Sequence, residues 1–178
     1  VSGSNMPSSS APDNEIWAIV AYLKGLSTVS PFENEIGDPE RGQKLFSSMC
    51  VRCHRVNTQG GSLGPDLSRI ARVRSRNMLM RSIREPSASV AVRYRAVTLV
   101  THDDRRIRGA IKSEDAFSIQ IADTRERLQG YRKADLREVI HEERSLMPEF
   151  GPDRLRDSDL DDLLKYLGTL TGVGSNRR

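Results

Sequence analysis

The chain has 178 residues, enough for one sizeable domain or for one domain with a fragment of another. Hydrophobic residues make up 37% and charged residues 29%, and no apolar run approaches the roughly 20 residues that cross a bilayer, so no transmembrane helix is expected. The formal charge of +4 gathers in "RIARVRSRNMLMRSIR" (69–84), which lacks the aromatics that stack on bases, so a solvated helix face is the simpler reading and nucleic acid is not an expected partner. There is no basic-then-apolar leader, so an export signal is expected to lie upstream or to have been removed.

The first patterned stretch is "MPSSSAPDNEIWAIVAYLKGL" (6–26). It begins Met-Pro, runs through a polar loop and enters an apolar segment with helical spacing. Asp13 and Glu15 stand in its first turn, where acidic groups suit the helix dipole. Residues 27–39, "STVSPFENEIGDP", read as a linker. A second helix follows in "DPERGQKLFSSMC", with Gly42 and Phe46 four residues apart on one face.

Both cysteines of the chain then fall in "CVRCH", as Cys50 and Cys53 followed by His54. Four readings compete. A redox disulfide lacks the preceding strand and Trp-Cys context of a thioredoxin-like motif. A zinc site needs a fourth ligand, and His102 and His141 stand at neither finger nor ribbon spacing. Chance proximity is the third. Covalent haem attachment is the fourth and the one the spacing favours: two thioethers anchor the edge of the macrocycle, and the next residue brings an imidazole beneath the iron. The expected cofactor is therefore haem c, one per chain, held through Cys50, Cys53 and His54.

Downstream, "GGSLGPDLSRI" is a loop, and "SRNMLMRSI" is helical, with Met78 and Met80 expected in its core. The pattern changes between Tyr94 and Glu143. "RRIRGAI" places Ile107, Gly109 and Ile111 on one face, and "FSIQI" does so for Phe117, Ile119 and Ile121. "YRAVTLVT" precedes them, with His102-Asp103-Asp104 as a turn, and "RLQGYRK" and "LREVIHE" follow as weaker strands. A small antiparallel sheet or half-closed barrel of four or five strands is expected, inserted before the methionine loop. Its simplest role is a structural cover.

A haem held by His54 leaves the sixth iron position to be filled, and methionine there raises the reduction potential. Met49 is held on the proximal side by Cys50, and Met78 and Met80 are helical. Met147, in "ERSLMPEF", lies on a loop before the last helix, with Pro148 restricting its backbone. Met147 is the expected distal ligand. His141, six positions earlier, keeps a bis-histidine alternative open.

"GQKLF…CVRCH…GPDL…MP…DLLKYL" resembles a class I cytochrome c domain with its parts in order. The resemblance implies that Gly42 and Phe46 on the first helix pack against Tyr166 and Leu167 on the last. It also implies that the carbonyl of Pro65 accepts a hydrogen bond from His54 and so orients the ring. From about Gly37 to Leu170 the chain is further similar to the haem-binding domain often fused to bacterial dehydrogenase-like proteins. The expected fold is α+β: a mainly helical cytochrome c fold at 40–178 with a β insertion at about 94–143.

The opening stretch repeats the closing one, "MPEFGPDRLRDSDLDDLLKYLGTL" (147–170). Aligned at Tyr22 and Tyr166, Ile16 pairs with Leu160, Ile19 with Leu163, Val20 with Leu164 and Leu23 with Leu167. Internal similarity of this kind suggests duplicated units. Residues 1–26 thus look like the methionine loop and last helix of a preceding cytochrome c unit, and Met6 would ligate a haem attached elsewhere. An ordinary amphipathic N-terminal helix is the plainer reading of the same residues.

The function expected is electron transfer by a His/Met-ligated haem c in a di-haem or multi-haem relay, without catalysis. The alternative is the haem subunit of a periplasmic dehydrogenase, or a haem enzyme with a displaceable distal ligand. Expected partners are a redox protein donor and acceptor, and another cytochrome chain or upstream haem domain. Haem c is attached outside the cytoplasm, so the expected location is periplasmic or extracellular. A non-haem binding module would require the Cys-x-x-Cys-His run to be incidental.

Overall fold

A computed structural model describes residues 11–28 and 36–172. They fall into two compact units, one within Val1–Ser30 and one within Pro31–Arg178. The first consists of helix α1 (Asp13–Thr28), with Asp13 and Glu15 in its first turn. Trp17, Ile19, Tyr22 and Leu23 on this helix are exposed. Met6 lies outside the described residues.

The second unit begins with α2 (Pro39–Met49). Asp38 caps it, its carboxylate accepting the amides of Glu40 at 2.8 Å and Arg41 at 3.3 Å, and Pro39 follows where a missing amide costs nothing. A two-residue ladder, β1 (Arg55–Val56) with β2 (Gln59–Gly60), comes next. Helix α3 (Arg76–Arg84) buries only Leu79 and Ile83. Met78 and Met80, expected in the core, both face outward. Successive helical residues point about 100° apart, and the narrow buried stripe of Leu79 and Ile83 leaves both methionines off it.

Five strands form one antiparallel sheet: β3 (Ala96–Thr101), β4 (Arg106–Glu114), β5 (Ser118–Asp123), β6 (Leu128–Arg132) and β7 (Leu136–His141). Their spatial order is β6-β5-β4-β3-β7, so the sheet is open, with β6 and β7 at its edges rather than closing a barrel. The His102–Asp104 turn joins β3 to β4, and Asp104 adopts φ +62° there. One face of the sheet buries Val97, Leu99, Ile111, Ile119, Ile121 and Leu136 as its own core. Phe117 departs from the expected alternation. It is 83% exposed and precedes β5, whereas Ile119 is 0% exposed. The carboxylate of Asp115 accepts the amides of Phe117 and Ser118, both at 2.7 Å, so the residue belongs to a capped turn.

Helix α4 (Asp157–Gly168) closes the chain's second core, burying Leu160, Leu163, Leu164 and Leu167 with Phe46, Ile70, Leu79, Ile83, Phe150 and Leu155. It crosses α2 closely. A Cβ on Gly42 would stand 2.6 Å from the carbonyl carbon of Asp162 and 2.8 Å from Tyr166 Cβ, so glycine is required there. The rings of Phe46 and Tyr166 meet at 5.5 Å with a 50° tilt. Arg41 reaches Asp159 at 3.3 Å and Asp162 at 3.2 Å, and Arg76 pairs with Asp161. The architecture is α+β. Helices and sheet take comparable shares of this unit, so a mainly helical fold is not what it shows.

Candidate functional site

The last turn of α2 continues into Cys50-Val51-Arg52-Cys53-His54 as a compact coil. The amide of Cys50 donates to Phe46 O at 2.8 Å, and the amides of Cys53 and His54 both reach back to Cys50 O, at 3.1 and 2.9 Å. This coil puts both thiols and the imidazole within one turn of chain. Phe46, buried against α4, anchors its root.

The loop at 60–65 backs the histidine. Gly64 donates its amide to Cys53 O at 2.8 Å, and an added Cβ there would stand 2.5 Å from His54 Cε1. No side chain fits between that backbone and the ring. Pro65 O lies 2.9 Å from His54 Nδ1. A carbonyl can only accept, so Nδ1 carries the proton and the lone pair of Nε2 remains for a metal.

Burial lowers the pKa of His54, an effect only partly offset by the Pro65 hydrogen bond, so the ring is neutral and able to donate at neutral pH. The thiols move the other way. Burial, with the charge of Cys53 beside it, pushes Cys50 up to about 11. Burial also raises Cys53, against the lowering effect of Arg52. A redox Cys-x-x-Cys pair works through a stabilised thiolate, so these environments speak against thiol exchange. Among the described residues no group of three or more His, Cys, Asp or Glu side chains gathers to hold a metal ion.

The residues fit a covalent haem: two half-buried thiols, a neutral imidazole with Nε2 free of its backing hydrogen bond, and half-buried apolar side chains beside them. Val56, Leu67 and Met147 pack against the same helical core as Cys50. Met147 sits on a braced loop. Its amide donates to Ser145 Oγ at 3.1 Å, and the Ser145 amide to Ser87 Oγ at 3.1 Å. Arg84, at the end of α3, ties the following segment down through Phe150 O at 2.5 Å, Leu155 O at 2.7 Å and Asp157 at 2.6 Å.

The structure therefore brings Cys50, Cys53, His54 and Pro65 together, and Met147 packs against the same helical core as Cys50. His141 is engaged elsewhere, its Nε2 lying 2.8 Å from Glu114 Oε2 on the sheet. His102 sits in the β3–β4 turn, 3.5 Å from Ala134 O. Sequence reasoning missed Arg84, whose place in a basic run hid its role, and Ser62, Lys112 and Glu126, which meet only through the fold.

Residues 39–97 match the family model for Cytochrome c, from α2 through the first strand residues of the sheet. The match supports a c-type cytochrome domain with covalently bound haem and haem-based electron transfer in general. It ends before Met147. No curated protein matches the chain. No helix among the described residues is long and apolar enough to cross a membrane.

Proposed function

We propose that the chain carries electrons through one haem c, bonded to Cys50 and Cys53 and ligated by His54 and Met147. Bound there, haem supplies a reversible one-electron couple. The protein's own part is to hold the ring of His54 on Pro65, keep water away with apolar side chains such as Val56 and Leu67, and fix the methionine loop through Arg84. The arrangement of two thiols and an oriented, neutral imidazole on one turn carries this reading. A thioether as the second ligand favours the reduced state and closes the iron to other ligands, which suits a carrier better than an enzyme.

The bis-histidine alternative is weaker because the Nε2 of His141 already faces Glu114. A relay with a second haem, reached through Met6, rests on the likeness of 6–26 to 147–170 and on one contrast. Ile19 and Leu23 of α1 are exposed, Ile19 at 56%, whereas their counterparts Leu163 and Leu167 in α4 are buried, Leu163 at 2%. A helix with that face is built to lie against something of the kind α4 lies against. Partners are then a redox donor, an acceptor and a neighbouring cytochrome unit, in the periplasm or outside the cell. Dehydrogenase fusion partners belong to the same proposal.

The test is a haem-to-polypeptide count by mass spectrometry and pyridine haemochrome, with carbon monoxide titration of the reduced protein. One covalent haem, closed to carbon monoxide until Met147→Ala opens it, is the expected result. No covalent haem, or a Met147→Ala protein with unchanged spectrum and potential, would overturn the assignment.

A further inference from the structure

The sheet meets the loop behind His54 at two places where its own regularity breaks. At the first, the β4–β5 register shifts between Ile111 and Ser113, leaving Lys112 as the bulge residue. A bulge re-aims a side chain. Here Nζ stands 5.0 Å over the Tyr94 ring and donates to Ser62 O at 3.2 Å.

The second is Glu126, in the β5–β6 turn, at φ +64°. Asn57 and Asp104 are the other non-glycine residues with positive φ among those described, and short polar side chains of their type tolerate it. Glutamate does not share that tolerance, and glycine is the natural occupant. Asp123 holds the turn, its carboxylate accepting the amides of Arg125 and Arg127, each at 2.9 Å. So held, Glu126 accepts the amide of Ser62 at 2.9 Å and approaches its hydroxyl at 3.5 Å. Ser62 is thus gripped on both sides, its N–H by Glu126 and its C=O by Lys112.

Ser62 lies in the loop that backs the histidine. Before it, the amide of Gly61 donates to Val51 O at 2.9 Å. A Cβ on Gly61 would stand 2.8 Å from the Arg52 carbonyl carbon and press on Glu126 Oε1, so this backbone is sandwiched between the Cys-x-x-Cys-His coil and the sheet's carboxylate. After it come Gly64 against the ring and Pro65 on Nδ1. A cleft of about 490 Å³ opens between this loop and the sheet, lined by Gly64, Gln120 and Ala122 among others. Across it the polar grips of Lys112 and Glu126 make the connection.

We propose that Glu126 and Lys112 are positioning residues for His54: the inserted sheet clamps the peptide at Ser62 and through the loop sets the angle and hydrogen bond of the iron-ligating ring. This rests on the haem reading above. The strain at Glu126 is retained because the same turn with glycine would lose its hold on the loop.

The test uses the haem-loaded full chain and its Glu126→Gln, Glu126→Gly and Lys112→Met variants, read by amide exchange at Ser62 and by the paramagnetically shifted His54 ring protons of the ferric form. Loss of a hydrogen bond to a charged acceptor should speed Ser62 exchange about tenfold or more in Glu126→Gly. The His54 resonances should move in Glu126→Gly and Lys112→Met and return close to wild type in Glu126→Gln, whose side-chain oxygen still accepts. Glycine relieves the turn, so a residue serving the hairpin alone could be replaced without moving His54. Unmoved His54 resonances in a protein with normal covalent haem, whether or not Ser62 exchange changes, overturn the clamp and leave the haem reading standing. A wild-type chain without covalent haem overturns both.

Discussion

Replacing Gly42 with alanine tests the crossing on which the Cys-x-x-Cys-His coil depends. The new Cβ would stand 2.6 Å from the carbonyl carbon of Asp162 and 2.8 Å from Tyr166 Cβ. Carbon atoms rest at roughly 3.5–4.0 Å, so α2 and α4 must part by about 1 Å. The carbonyl oxygen and carbon of Asp162 are backbone and the Tyr166 atom is a Cβ, so no rotamer change removes the clash. Parting the helices also loosens Phe46 from Tyr166 and from Leu163 and Leu167. Overpacking of this kind costs about 1–3 kcal/mol, and a backbone obstacle belongs at or beyond the upper end. With a urea slope of about 2 kcal/mol per molar, a loss of about 3 kcal/mol lowers the midpoint by about 1.5 M. The assay is urea unfolding followed by far-ultraviolet circular dichroism and Soret absorbance. Gly151 is the control, because nothing lies within 4 Å of a Cβ added there. Gly151→Ala should change stability by no more than about 1 kcal/mol, through unfolded-state entropy. Equal midpoints for the two variants would refute the close crossing.

Three further outcomes are expected. Arg84→Leu removes the donor to Phe150 O, Leu155 O and Asp157 and should cost about 1.5–3 kcal/mol, with faster carbon monoxide binding as the methionine loop loosens; unchanged stability and kinetics would deny Arg84 that role. Ile119→Ala should cost about 2–5 kcal/mol, while Phe117→Ser should stay within about 0.5 kcal/mol, and thermal melts giving comparable losses would contradict the strand register. The hydrogen bond from Arg108 holds the Glu142 carboxyl below its usual range, and Thr98 adds to this. Between the lowered folded value and the ordinary value near 4.5 the unfolded chain binds the extra proton. Stability from Glu142 is therefore complete above that window and lost as pH falls through it, and Glu142→Gln should flatten this acid limb in pH-dependent melts.

The Cys-x-x-Cys-His pattern was legible because it is local: Cys50, Cys53 and His54 fall within five consecutive positions, and their spacing needs no tertiary partner to be recognised. The alternation of Ile107 with Ile111 and of Ile119 with Ile121 was legible for a similar reason, since a strand's period is expressed in its own residues. Phe117 extended that alternation by one step too many. The Asp115 cap takes its amide into a turn, and apolarity alone does not reveal where a ladder stops. Met78 and Met80 show the same limit on a helix, where apolarity alone does not reveal that the buried stripe is only as wide as Leu79 and Ile83.

The sequence by itself determined which groups are available for chemistry: two thiols, an adjacent imidazole, a Gly-Pro loop, and amphipathic segments able to bury Leu160, Leu163, Leu164 and Leu167. Tertiary structure alone decided how those groups are held. Phe46 finds Tyr166 across a crossing open only at Gly42, Arg84 finds the carbonyls of the methionine loop, and Lys112 and Glu126 find the two sides of the Ser62 peptide. Motif chemistry is carried by covalent neighbours, whose spacing is written in the chain. Orientation is carried by contacts between residues far apart in sequence, and these exist only after the sheet and helices have packed.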